Sequence, residues 1–165
     1  ARRQRQMCIR DSFSSKKFME RYNSDLVNDL GNLLSRTTSM IDKYNGGLVE
    51  KGSESDSFDD QLKDLAGKTY VDYCKQMDSF EFNEALQSVW TFIRRANKYV
   101  DETEPWILGR DEANKERLNT VLYNLAESLR IVAQLIEPVM KNTTKEILGK
   151  LGTCLLYTSP SPRDS

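Results

Sequence analysis

Apolar residues recur every three or four positions along almost the whole chain, and this periodicity leaves little room for anything but packed helices. From about Ser15 to Tyr44, the residues Phe18, Tyr22, Leu26, Leu30, Leu33, Leu34, Met40, Ile41 and Tyr44 form one stripe. Ser14 or Ser15 can cap its start, and Asn45-Gly46-Gly47 offers the left-handed residue that ends a helix. Residues 46–57, rich in Gly, Ser and acids, read as an exposed loop. A second segment, about Phe58 to Met77, places Phe58, Leu62, Leu65, Ala66, Thr69, Tyr70, Tyr73 and Met77 inward. A third follows the break at Asp78-Ser79 and runs to about Asp101, with Phe82, Leu86, Val89, Ile93 and Val100 inward. A fourth covers roughly Glu112 to Ile136 until Pro138 interrupts it, and a short fifth runs from Val139 to Leu151. No β-alternation competes, so the expected fold is all-α, an antiparallel bundle of about five helices.

The two ends do not share this pattern. Cys154-Leu155-Leu156-Tyr157-Thr158-Ser159 can be coded by TGT CTC TTA TAC ACA TCT. The reverse complement of that DNA translates as Met-Cys-Ile-Arg-Asp, which stands at Met7–Asp11. Two termini encodable by one inverted sequence resemble a transposase adapter from a sequencing library. Residues 1–12 and 154–165 are therefore read as adapter-derived and the domain as 13–153. Five of the 24 Lys+Arg and two of the 25 Asp+Glu lie in those ends, which leaves 19 cations against 23 acids, a formal charge of −4. A basic arm for nucleic acid is thus not a safe inference. Of three cysteines only Cys74 remains, so no disulfide framework is expected, and a chain with no histidine offers no ordinary zinc site. No apolar run is long enough to span a membrane and no signal peptide is visible. The expected setting is the cytoplasm (or an organelle), with no membrane and no DNA partner.

Three features are not explained by packing alone. Asn28, Asn32 and Arg36 recur every fourth residue, which on one helix gives them a common face. Amides and a guanidinium can together address a nucleobase edge and a phosphate; a solvated helix face accounts for the same spacing. Gly31, beside them, costs a helix interior about 1 kcal/mol relative to alanine, and its missing side chain would let another helix or a ligand approach. Secondly, Pro105 breaks the helix and Trp106 follows it directly, either as a lid on the core or as a stacking platform. Thirdly, Arg94-Arg95-Ala96-Asn97-Lys98-Tyr99 gives the third segment a basic end, which suits the helix dipole and could also meet phosphates.

Taken in series these pieces resemble a known family. Arg21–Arg36 is similar to the opening helix of the anticodon-binding domain of methionyl-tRNA synthetases. Ala96-Asn97-Lys98-Tyr99-Val100-Asp101 followed by Pro105-Trp106-Ile107-Leu108 resembles that domain's signature around its tryptophan. Tyr123–Arg130 followed by Leu135-Ile136-Glu137-Pro138-Val139-Met140 is similar to its fourth helix and proline turn. The resemblance runs from about Phe18 to Leu151. It implies a helical bundle that reads the CAU anticodon of methionine tRNA, with Asn32 and Arg36 bonding the first anticodon base and nearby backbone and Asn28 alongside. Trp106 would stack on that base, Pro105 would hold the ring, and Asp101 and Arg95 would be secondary contacts. It implies tRNA and the catalytic domain of the same polypeptide as partners. ATP and Mg would be used by that other domain, with no cofactor here. Neither its HIGH-type motif nor its KMSKS-type loop occurs in this sequence, so the chain alone is expected to be inactive as a ligase. The competing reading is a protein-interaction bundle without a nucleic-acid role.

Overall fold

The computed structural model describes residues 26–138 and 141–155, and every regular element among them is helical. A π-helical turn, Leu26–Leu30, leads into α1 (Gly31–Asn45), and a loop leads to α2 (Ser57–Asp78) and α3 (Phe82–Thr103). A single turn, Pro105–Leu108, and a 3-10 turn, Glu112–Asn114, connect to α4 (Lys115–Ile136), and α5 (Lys141–Leu155) follows. This is the five-helix bundle that the periodicity implied. Both adapter-like ends, apart from Cys154 and Leu155, lie outside the described residues, as do the capping serines, Phe18, Tyr22 and Val139. No helix among the described residues is long and apolar enough to cross a membrane.

The centre is α4, because its sequence is apolar on more than one face. Leu118, Val121, Leu122, Leu125, Leu129, Val132, Ala133 and Ile136 are buried, and α1, α2, α3 and α5 all pack on it. A helix buried nearly all round cannot form stably without its neighbours, so its packing faces fix where they lie. The α2–α3 hairpin turns at residues 79–81, where Phe80 takes a left-handed φ of 58° and stays exposed. Tyr70, expected inward, lies on the solvent side: Leu62, Thr69 and Tyr73 are the buried line of α2, and Tyr70 falls a residue beyond it.

The loop after α1 departs further from expectation. Gly46 closes α1 in the left-handed conformation, as the sequence suggested, with its N–H and that of Gly47 bonded to the carbonyls of Asp42 and Ile41. The residues that follow are not simply exposed. Val49 is buried in the core, and a Cβ on Gly52 would stand 2.2 Å from the Glu116 carbonyl oxygen. Ser53 donates from both its N–H and its hydroxyl to Glu116 at 3.1 Å. Glycine permits backbone to lie against backbone, which a composition argument about polar loops does not register. At the far end of this loop Asp56 caps α2 in a reciprocal box with Asp59.

Candidate nucleic-acid interface

Several of the polar residues singled out in the sequence, Arg36, Arg94, Asn97 and Asp101, meet along a seam between α3 and the first helix. Trp90, Arg94, Asn97 and Asp101 are spaced by four, three and four, so they form one stripe of α3, and it faces the first helix. Its lower end holds the π-turn. Asp29 Oδ2 accepts the Trp90 indole N–H at 3.0 Å and lies 3.4 Å from Arg94 Nε. The Asn97 side-chain amide donates to the Asp29 backbone carbonyl at 3.1 Å. Its upper end is an ion pair, Arg36 Nη2 to Asp101 Oδ1 at 2.9 Å, with the two side chains 37% and 67% exposed.

Asp101 lies within one turn of the end of α3, and there the chain builds a projection. Glu104 takes a left-handed φ of 47° and its N–H bonds to the Val100 carbonyl at 3.1 Å, which stops the helix. Pro105 cannot continue the ladder, but it fits the first position of a new turn, closed by Gly109 N–H on the Pro105 carbonyl at 2.9 Å. Pro105 is buried and Leu108 packs on the core, so these two close the end of the bundle. Trp106 is left 39% exposed beside a similarly exposed Ile107. The indole is therefore not the core lid; the buried tryptophan is Trp90. Beyond the turn, a Cβ on Gly109 would stand 2.5 Å from the Tyr44 ring, so that ring lies against the Gly109 backbone. Arg36 and Tyr44 are two turns apart on one face of α1. Their contacts are with Asp101 and Gly109, which flank Trp106 in the sequence, while the Pro105–Leu108 turn itself packs on α4.

The candidate residues are not all brought together. Asn32 and Arg36 share the continuous α-helix, and Asn32 and Asn28 are exposed. Asn28, however, lies in the π-turn, where N–H groups bond five residues back. Asn28 therefore relates to Asn32 and Arg36 through π geometry on one side and α geometry on the other, not through an uninterrupted α-helix. Arg95 faces away from the seam altogether. It is paired to Glu102 at 2.6 Å and bonded to Gln61 of α2 at 3.1 Å, with its side chain 16% exposed. One residue along a helix is a rotation of roughly 100°, enough to send Arg94 to α1 and Arg95 to α2. Gly31 marks the junction of π and α geometry, and a Cβ there would meet nothing within 4 Å. Among the described residues no helix uses it as a notch.

Sequence reasoning missed Asp29, Trp90 and Asn97 as the frame of this seam, although the spacing of the α3 stripe carried the signal. It also missed a buried polar cluster on the other side of α3. Asp59 is fully buried and accepts hydrogen bonds from the Tyr99 hydroxyl and from Arg117, which also reaches Asp56 at 2.8 Å. Asn124 donates to the Tyr99 oxygen at 3.2 Å. Burial pushes the Asp59 carboxyl up, but the hydrogen bonds from Arg117 and Tyr99 outweigh it and hold the group below the usual carboxylate range. Burial pushes the Tyr99 hydroxyl up, and the Asp59 hydrogen bond adds to that. This cluster joins α2, α3 and α4 internally and offers no open position to a ligand. No group of acids and cysteines among the described residues could hold a metal ion.

The seam thus presents exposed amides and a guanidinium held by one acid, and the half-exposed Trp106 indole stands on the turn that follows α3, residue types suited to a planar, hydrogen-bonding guest. The chain is 51% identical over 140 residues to a methionine–tRNA ligase of Lactococcus lactis, across 85% of this chain and 21% of that protein. A second relative, from Caldanaerobacter subterraneus, is 49% identical and matches over 22% of its length. The chain therefore spans about a fifth of the length of these relatives. Among solved structures, the free-state methionyl-tRNA synthetase of Mycobacterium tuberculosis superimposes with a TM-score of 0.73 at 36% identity, over 78% of this chain and 26% of that one. The sequence profile of the anticodon-binding domain of tRNA ligases matches residues 63–162, more than half of the chain, and the protein belongs to that family.

Proposed function

We propose that this chain is the anticodon-reading part of a methionine–tRNA ligase and that the α1–α3 seam receives the CAU loop of methionine tRNA. The observation that carries this reading is the Arg36–Asp101 pair, which joins the amide-and-guanidinium strip of α1 to the last turn of α3, five positions in sequence before the exposed Trp106. In the bound state the first anticodon base stacks on Trp106, which Pro105 holds by being buried itself. Stacking of one base on an aromatic ring contributes about 1–3 kcal/mol. Asn32 and the remaining donors of Arg36 bond the base edge and adjacent backbone, with Asn28 approaching from the π-turn. A wrong base leaves these groups unpaired in a partly desolvated place, which is how a few hydrogen bonds discriminate. Asp101 holds the guanidinium in position and opposes loose attachment of any phosphate to it. Arg95, bonded to Glu102, contributes through the bundle's shape and not by touching RNA.

The longer ligase would attach methionine to tRNA using ATP in a catalytic domain of its own, with this domain holding the far end of the tRNA. The native domain begins near Phe13 and ends near Thr153, and the DNA flanking those points in the source genome tests that boundary. The binding test is titration of a CAU anticodon stem-loop at low salt. Trp106→Ala and Arg36→Ala are each expected to weaken it by tenfold or more with helicity unchanged. Equal affinity for both variants and the wild type would overturn the reading in favour of a helical protein-interaction bundle.

A further inference from the structure

We infer that Asp29 and its α3 partners, Asn97 and Trp90, are positioning residues that hold the π-turn and so set the angle between Asn28 and the Asn32–Arg36 pair. This rests on the reading of the seam as the anticodon surface. Its basis is geometric. A π-turn carries more residues per turn than an α-helix, so each residue inside it advances by a smaller angle about the axis. The turn Leu26–Leu30 therefore decides where Asn28 lies, and α1 proper begins only at Gly31. Isolated π-turns are uncommon and are kept in place by groups that engage the disturbed backbone.

Here those groups can be named. Asn97 donates to the Asp29 carbonyl at 3.1 Å, and the Asp29 carboxylate receives Trp90 at 3.0 Å and Arg94 at 3.4 Å. The assignment of the Asn97 amide is fixed by its surroundings, since turning it over would set its oxygen against the Asp29 carbonyl, acceptor against acceptor. That orientation leaves Asn97 Oδ1 buried without a partner. A buried acceptor left unsatisfied is a cost to stability. An asparagine held at such a cost is better explained by where it puts the π-turn than by how much it stabilises the bundle. The exposure of Gly31 fits as well: none of the described residues occupies the step between the two geometries. The two ends of the seam then have distinct tasks. Asp101 orients the guanidinium, and the Asp29 clamp orients the amide that precedes it.

The test separates placement from stability. Asn97→Leu is close to isosteric, cannot donate to Asp29, and removes the orphan acceptor, so the variant is expected to melt at or above the wild-type temperature. Its preference for a CAU stem-loop over one with the first anticodon base changed is expected to fall about tenfold in titration. An unchanged preference overturns the proposal, whatever happens to the melting temperature. In parallel, the Trp90 indole N–H resonance of the wild-type chain is followed during titration with the CAU stem-loop. It is expected to move on binding and to be displaced already in free Asn97→Leu; a resonance indifferent to both also overturns the proposal. Arg36→Ala serves as the control that tells the two readings apart. If it binds the CAU stem-loop like the wild type, the anticodon reading fails; if it loses binding while Asn97→Leu keeps its preference, only the clamp fails.

Discussion

Replacing Arg117 by methionine tests the buried cluster that ties three helices together, and both its size and its pH dependence can be worked out in advance. Methionine matches the length of the arginine stem but removes the cation from a carboxylate with no exposure to solvent. Asp59 keeps the Tyr99 hydroxyl and the Asp56 N–H, the latter at 2.9 Å, yet loses both Arg117 bonds. Breaking one side of a buried ion pair costs about 3–5 kcal/mol, because the remaining charge stays desolvated. In urea that corresponds to a midpoint lower by about 2 M for a domain of this size. The pH sign follows from the carboxyl. In the wild type its folded value is held below the ordinary 3.8, so its contribution to stability is present above 3.8 and lost as pH falls through the folded value. Without Arg117, burial, which is the largest single influence, acts against fewer opposing bonds and the folded value rises. The variant then protonates Asp59 at a higher pH, and its deficit relative to the wild type narrows as pH falls from 7 toward 4. Urea melts of both proteins at several pH values measure this directly. A variant within about 1 kcal/mol of the wild type at pH 7, or a deficit that does not change with pH, would refute the reasoning.

Other substitutions probe the remaining parts. Gly52→Ala forces a Cβ to within 2.2 Å of the Glu116 carbonyl and should destabilise the chain by about 1–3 kcal/mol, read from thermal melts. Gly31→Ala meets nothing within 4 Å, so it should stabilise by up to about 1 kcal/mol while weakening CAU stem-loop binding; unchanged binding would show that no ligand uses the open backbone there. Asp101→Asn removes an exposed pair worth less than about 1 kcal/mol, so melting should hardly move. Binding to stem-loops of any sequence should tighten at low salt, since the Arg36 charge is no longer offset. Trp106→Ala should likewise leave stability within about 1 kcal/mol, in contrast to truncation of Leu125 or Leu129, each expected to cost about 2–5 kcal/mol.

The sequence made the helices legible because period and burial coincide: the inward line of α3 and the nearly all-buried α4 were both visible in their apolar spacing. It also showed where α1 must stop, since Asn45-Gly46-Gly47 supplies a conformation that other residues take at a cost. What it did not show were features in which a polar side chain reaches across to another helix's backbone or charge. Nothing in the run Asp25–Leu30 announces a π-turn, because the turn is fixed from outside, by Asn97 and Trp90 some 60 or more positions away. The opposite directions of Arg94 and Arg95 were hidden for a related reason. They are identical in chemistry and adjacent in sequence, and only the positions of Asp29 and Glu102 assign one to each neighbour.

That division bears on how such a surface can work at all in a chain whose residues 13–153 carry a net negative charge. Arg36, Arg94, Arg95, Arg117 and Arg130 each face a carboxylate, and three of them, Arg36, Arg94 and Arg117, reach across to another element. Long-range attraction of phosphates therefore contributes little, and affinity must come from short-range contacts that only a well-placed base can make. A strip of amides is suited to this, because a neutral amide gains nothing from a phosphate at a distance but loses a hydrogen bond when the wrong edge is offered. On this account discrimination depends on angle more than on charge. Adding surface lysines near Trp106 should raise binding to every stem-loop alike, whereas disturbing the Asp29 clamp should erode the preference for one.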